Sequence, residues 1–225
     1  MKELFDGVNP ELVMFDLDGT LVDSVPDLAV AIDRMLQALD RPLAGVGKVR
    51  NWVGNGAAVL VRRALADNMS VDAHEEELYE KGLSLFMAFY AKATADQSQL
   101  YPGALACLKL LKENRIKMGL VTNKPISFTR TMLDGFELTG FFEVILGGDS
   151  LAKKKPDPLP LQEIMRQCGV AADRALMVGD SISDVSAARA AGCAVACVPY
   201  GYNHGECISL SAPDLMVERL DHLLR

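Results

Sequence analysis

In the stretch LVMFDLDGTLVDS (12–24), Asp16 and Asp18 stand two apart directly behind an apolar run, with Gly19 and Thr20 following at once. Setting carboxylates at the mouth of a buried strand costs solvation, so something else at that position has to offset it. Other polar groups follow apolar runs in the same way. Thr122, Asn123 and Lys124 come after IKMGLV (116–121), Lys155 lies in KKKPDP (153–158), and Asp180, Ser181 and Asp184 come after RALMVG (174–179). Neighbouring carboxylates repel unless a cation lies between them. Mg²⁺ takes oxygen ligands: a few carboxylates, waters and a substrate phosphate. A carboxylate facing phosphorus across such an ion can attack it. A hydroxyl, amides and a lysine suit the charge that redistributes over the phosphoryl oxygens. Together these residue types point to Mg²⁺-dependent phosphoryl transfer.

Taken singly, each has a plainer reading. Asp16 and Asp18 fit a strand-end turn, and Thr122 an ordinary strand end. Lys153 and Lys154 fit a solvated charge run, while Asp180 and Asp184 favour the positive end of the helix behind them. What distinguishes the set is placement. The runs ELVMF (11–15), IKMGLVT (116–122), FEVILGG (142–148), RALMVG (174–179) and AVACVP (194–199) are short and nearly continuous, as strands buried on both faces are. Helical patterns alternate with them over 104–114, 127–136, 158–169 and 183–192; the last two end in Gly169 and Gly192, and Ser183 is the expected N-cap of the fourth. Strand alternating with helix predicts an α/β fold, a doubly wound parallel sheet, whose ligands gather beyond the carboxyl ends of the strands. That edge is where the polar residues above fall.

Residues 24–96 break the rhythm with helical patterns over 27–40, 56–68 and 74–93 and no convincing strand. The reading is a catalytic core of residues 1–23 and 97–225 with an all-helical insert, 24–96, hinged near Asp23–Pro26 and 94–103. Trp52 is expected to pack, Tyr200–His204 to form a structural loop, and His74, His204 and His222 to have no metal role.

The formal net charge of −7 argues against a polyanion-binding surface, so no nucleic acid is expected. No apolar run approaches the ~18 residues of a membrane span, and no signal-peptide pattern opens the chain. The five cysteines lack CxxC spacing and read as reduced thiols, with a cytoplasmic setting.

DLDGT (16–20), VTN (121–123), KPDP (155–158) and GDSISD (179–184), in that order, resemble the four motifs of the haloacid dehalogenase (HAD) superfamily of phosphohydrolases, and the insert resembles its C1 cap. The resemblance implies Asp16 as nucleophile and Mg²⁺ ligand, and Asp18 as acid and then base, with its carbonyl on the metal. It implies Asp180 as a further metal ligand and Asp184 as a group acting on a metal water or on Lys155. Thr122 and Asn123 would hold phosphoryl oxygens, and Lys155 would neutralise nucleophile and phosphate. LVDSVPDLA (21–29), VRNWVGNGAAVLVRRAL (49–65) and YPGALACLKLLKE (101–113) resemble the bacterial phosphoglycolate phosphatases, which implies hydrolysis of 2-phosphoglycolate. In that reading Arg50 offers the substrate carboxylate a charged fork, and Gly54-Asn55-Gly56 offers N–H donors at a helix start. Another small phosphate monoester or phosphosugar, a sugar-phosphate mutase, and a binding protein without turnover remain alternatives. The expected partner is a small phosphate ester, and the protein a monomer or homodimer.

Overall fold

The apolar run before Asp16 forms the centre of a six-stranded parallel sheet. The computed structural model describes residues 1–70 and 76–224. In chain order its elements are β1 (Leu12–Phe15), β2 (Val22–Asp23), α1 (Val25–Ala38), α2 (Gly45–Trp52), α3 (Ala57–Ala66), α4 (Glu76–Tyr90), β3 (Gln99–Leu100), α5 (Ala104–Glu113), β4 (Lys117–Val121), α6 (Ile126–Gly135), β5 (Val144–Leu146), α7 (Leu159–Cys168), β6 (Ala175–Gly179), α8 (Ile182–Ala191), β7 (Ala194–Cys197) and β8 (Leu215–Met216). The sheet order is β5-β4-β1-β6-β7-β8. The chain winds outward on one side of β1 and then returns to the other, which puts a topological switch point beside β1.

Every residue of β1 is fully buried, and its side chains alternate between two cores. Val13 and Phe15 pack with Leu108 and Leu111 of α5 and Met132 and Leu133 of α6. Leu12 and Met14 pack with Leu161 and Ile164 of α7 and Ala187 and Ala188 of α8. Burying one such aliphatic side chain contributes ~1.5–3 kcal/mol, so the sheet is held from both faces. This is the doubly wound α/β fold. Among the described residues no helix is long and apolar enough to cross a membrane, and all five cysteines are free thiols.

Four helices, α1 to α4, lie between β2 and β3 around a third core that includes Ile32, Met35, Trp52, Val61 and Phe86. Trp52 packs there, as expected. The helix α2 was not anticipated. Two glycines in its first three positions weaken the local signal, and packing against α1 and α3 carries it instead. The helical pattern begun at His74 starts outside the described residues, at His74 and Glu75, and α4 is seen from Glu76.

The segments leading into and out of the insert are fastened together. β2 pairs antiparallel with β3. Asp27, buried in the first turn of α1, accepts hydrogen bonds from the Gln97 N–H (2.9 Å), the Ser98 N–H (2.8 Å) and the Ser98 hydroxyl (2.6 Å). Gly169 and Gly192 end α7 and α8 in the left-handed conformation. The N-cap of α8 is Ser181, not Ser183. Ser181 and Asp184 form a reciprocal capping box, and Ser183 lies inside the first turn.

Candidate active site

Because β1 and β6 are parallel neighbours with Phe15 opposite Val178, the residues after them emerge at one edge. The Asp16 N–H donates to the Val178 carbonyl at 3.0 Å, so pairing continues up to the first carboxylate. Asp16, Asp180 and Asp184 then bring carboxylate oxygens within 4.8 Å of one another. Lys155 is buried among them, its Nζ 2.6 Å from Asp184 Oδ1 and 3.0 Å from Asp16 Oδ1.

The three acids differ in what already satisfies them. Asp184 accepts from Lys155 on one oxygen and from the Ser181 hydroxyl (2.7 Å) and the N–H groups of Asp180 and Ser181 on the other. Asp180 accepts from the Thr20 hydroxyl (2.7 Å) and the Tyr202 N–H (2.6 Å). Among the described residues Asp16 takes only the Leu17 N–H (2.7 Å) besides Lys155. Burial raises the Asp16 pKa to about 7 despite the opposing Lys155, with Asp184 and Asp18 adding to the rise. Burial, then Asp16 and Asp184, raise Asp180 well above the usual carboxylate range. Lys155 is disfavoured as a cation by burial, but Asp16 and Asp184 outweigh that and raise its pKa. One lysine does not neutralise three clustered carboxylates. An all-oxygen donor set with surplus negative charge in a desolvated place fits a hard divalent cation.

Two glycines make the approach to Asp180 feasible. Gly19 has φ 91°, and a Cβ there would lie 2.3 Å from Asp180 Oδ2. A Cβ on Gly201 would lie 2.2 Å from the Asp180 Cβ. The loop 200–204 is therefore more than a structural connection. Its Tyr202 holds Asp180 through its backbone, while its hydroxyl accepts from the Val25 N–H (3.3 Å) and donates to Asp23.

Asp18 is not part of the three-carboxylate group. It pairs with Lys124 at 3.1 Å, and Lys124 Nζ also donates to the Tyr90 hydroxyl at 2.5 Å. Burial disfavours the Lys124 cation, yet Asp18 and Tyr90 reverse the effect and raise its pKa. Tyr90 itself is pushed up to about 12 by burial. Lys124 was named only as part of the strand-end cluster and given no role; the signal available was a lysine two residues past a motif threonine.

Thr122 is buried beside this pair, where its hydroxyl accepts the Lys124 N–H at 3.2 Å. Asn123 does not present its amide donors as expected. Both are used, at 3.0 Å each, on the carbonyls of Gly54 and Lys155, and they tie the insert to the core. Lys154 was expected to be solvated but is half-buried, and its Nζ donates to the Asn55 carbonyl at 2.8 Å. Lys153 is exposed and pairs with Asp157.

The two insert residues proposed as ligands lie elsewhere. Arg50 reaches Asp23 at 3.4 Å and sits 5.0 Å from the Tyr202 ring centroid, outside the cavity lining. Asn55 is also absent from that lining, while its neighbours Gly54, Gly56 and Ala57 belong to it. The cavity itself, about 40 Å³, lies where the insert meets the strand ends. Its floor is Asp16, Asp18, Thr122, Asn123 and Lys124; its roof is largely apolar, with Leu28, Val53, Leu60, Phe86 and Tyr90. A partly covered pocket of this kind, with reactive polar groups on one wall, can hold a small anion.

The fold and this arrangement belong to a known class. Residues 10–192 match the model of the haloacid dehalogenase-like hydrolases, and the chain is a member of that family. It is 51% identical over 223 residues to a phosphoglycolate phosphatase of Pseudomonas savastanoi pv. phaseolicola, spanning 99% of this chain and 82% of that one. It is 48% identical over 211 residues to a phosphoglycolate phosphatase of Nitrosococcus oceani, spanning 94% and 93%. Among solved structures it resembles a predicted phosphoglycolate phosphatase from Haemophilus somnus 129PT, with TM-score 0.90 and 35% identity over 96% of this chain and 97% of the other.

Proposed function

We propose that the protein is a Mg²⁺-dependent phosphatase that hydrolyses 2-phosphoglycolate to glycolate and phosphate. The observation that carries the chemistry is the pairing of Asp16, the carboxylate with fewest partners, with Lys155, beside Asp180 and Asp184. The substrate name rests on the likeness to the phosphoglycolate phosphatases of two genera.

In this reading a carboxylate oxygen of Asp16 attacks phosphorus, and the bond from phosphorus to the ester oxygen breaks. Asp18 gives its proton to the leaving glycolate oxygen. Water then attacks the phosphorus of the aspartyl-phosphate, Asp18 takes a proton from it, and phosphate leaves Asp16 as a free carboxylate. Lys155 offsets negative charge on Asp16 and the phosphoryl group throughout. The Thr122 hydroxyl and the Asn123 backbone N–H face phosphoryl oxygens, because the Asn123 amide is committed to Gly54 and Lys155. Asp16, Asp180 and the Asp18 carbonyl would hold Mg²⁺, which when bound supplies charge stabilisation to the phosphoryl oxygens. Asp184 orients Lys155 and the start of α8.

Residues 24–96 act as a cap on a core of 1–23 and 97–225. Its apolar roof excludes water in the closed form, and opening admits substrate and releases product. Phosphate release with Mg²⁺ across 2-phosphoglycolate, phospholactate, β-glucose 1-phosphate, glucose 6-phosphate and an aryl phosphate tests the reading. A kcat/KM for 2-phosphoglycolate about a hundredfold above the rest, nearly 3 kcal/mol of discrimination, is expected. A flat profile removes the substrate, and transfer on β-glucose 1-phosphate without release makes the protein a mutase.

A further inference from the structure

With Arg50 turned to Asp23, the cavity needs another group to recognise the second negative charge of a carboxylate-bearing substrate. Lys124 is the cationic side chain in the cavity lining among the described residues. Its side chain is 4% exposed, so its charge is little screened by water. An ammonium has three N–H donors. At Nζ one direction is taken by the Asp18 carboxylate, whose two oxygens lie at 3.1 and 3.3 Å, and one by the Tyr90 hydroxyl at 2.5 Å. That leaves a third.

We propose that Lys124 is the specificity residue of this site, its third N–H receiving the substrate's carboxylate while Asp18 and Tyr90 fix the ammonium between core and insert. The proposal rests on the phosphatase reading above and names how that site tells its substrate from other esters. Three observations favour it over a purely structural ion pair. Lys124 stands on the loop two residues past Thr122, so a group bound to it lies a short span from the phosphoryl position. The wall of Leu28, Leu60, Phe86 and Phe128 is apolar, and Tyr90, Thr122 and Asn123 in the same lining carry no charge, so the positive charge there comes from Lys124. The Tyr90 hydroxyl that steadies Nζ comes from α4, so the subsite is completed by the insert. An ester without a negative charge at that end gives the buried ammonium at most a neutral acceptor, and that weaker match disfavours it.

The test compares 2-phosphoglycolate with 2-hydroxyethyl phosphate, which has the same chain with the carboxylate replaced by a hydroxymethyl group. The two esters differ in intrinsic reactivity, but that difference cancels when the ratio of their kcat/KM values is compared between proteins. Wild type should prefer 2-phosphoglycolate by at least ~30-fold, the size of one buried charge-assisted hydrogen bond or more. In Lys124→Gln both substrates slow, because Asp18 loses its partner, and the ratio should fall at least tenfold. Lys124→Arg keeps a cation beside Asp18 if the neutral variant does not fold; its longer, planar head is displaced in so small a cavity, and its ratio should fall at least threefold. Tyr90→Phe keeps the charge but leaves Nζ held by Asp18 alone, so its ratio should fall, and by less than in Lys124→Gln. A selective wild type whose ratio is unchanged in the Lys124 variants overturns the assignment and leaves the phosphatase reading standing. A wild type with no preference sinks the 2-phosphoglycolate reading and this assignment with it.

Discussion

The desolvated carboxylates make the stability of the metal-free protein depend on pH in an unusual direction. An ordinary buried, ion-paired aspartate has a depressed pKa and lends stability as pH rises. Asp16 is the reverse, raised from 3.8 to about 7. Between these two values the unfolded chain has released its proton and the folded protein still holds it, so folding stability falls as pH rises. At 1.36 kcal/mol per pKa unit the full loss across that window is about 4 kcal/mol for this one group. Asp180 shifts in the same direction. His204, whose pKa is lowered by burial, acts in the opposite sense near neutrality. The perturbation that removes the Asp16 titration is Asp16→Asn, which keeps the shape; it also relieves part of the rise in Asp180, which acts in the same direction, and leaves His204 in both proteins. Urea denaturation in EDTA from pH 5 to 8 should show Asp16→Asn gaining on wild type by ~2–4 kcal/mol over that range. Adding Mg²⁺ should shrink the gap by stabilising the wild type most at the higher pH. Parallel stability curves for the two proteins in EDTA would refute the argument that desolvation dominates at this position.

Other consequences follow from single contacts. Asp27→Ala removes three charge-assisted hydrogen bonds and strands the N–H and hydroxyl of buried Ser98 where the insert joins the core; a loss of ~3 kcal/mol is expected in urea denaturation. Gly201→Ala puts a Cβ 2.2 Å from that of Asp180, so Mg²⁺ affinity measured by calorimetry should drop at least tenfold, and unchanged affinity would mean the loop 200–204 yields freely. Asp16→Asn should lower kcat at least ~10³-fold with the circular dichroism spectrum retained, by analogy with losses on removing a nucleophile; normal turnover would remove Asp16 from its role.

The sheet was legible because its strands are buried on both faces. β1, β4, β6 and β7 are near-continuous apolar runs that few other structures can use. The same rule failed for β8, two residues at the sheet edge, and for the β2–β3 ribbon, whose pairing joins positions about 77 apart with no local pattern. The motifs of Asp16, Thr122 and Asp180 were legible because each stands at a strand end, where topology alone assembles them; Lys155, nine residues past β5 on the loop before α7, was legible only through its KPDP context. The insert's contribution was not, since no periodicity says which face of α2 or α4 meets the strand ends. Arg50 looked available because a charged residue before a glycine-rich turn is indistinguishable in sequence from one that pairs with a residue 27 positions earlier. Tyr90 and Lys124 meet across 34 residues for the same reason.

Arg50 provides the sharpest test of that distinction. A guanidinium that grips the substrate carboxylate in a buried site contributes ~2–3 kcal/mol, so its removal would lower kcat/KM by roughly 30- to 150-fold. The structure gives it a different setting. It is 3.4 Å from an Asp23 carboxylate, with side chains 38% and 32% exposed, and lies against the Tyr202 ring. A pair of that kind is worth up to ~1 kcal/mol, which corresponds to at most about fivefold. Asp23 lies at the entry to the insert and also accepts the Tyr202 hydroxyl, so the pair helps fasten the insert where it joins the core. Arg50→Ala should therefore raise KM for 2-phosphoglycolate and 2-hydroxyethyl phosphate by the same small factor and leave their ratio intact. A loss beyond thirtyfold confined to the carboxylate-bearing ester would place Arg50 in the cavity of the closed enzyme, and the recognition assigned to Lys124 would have to be shared with it.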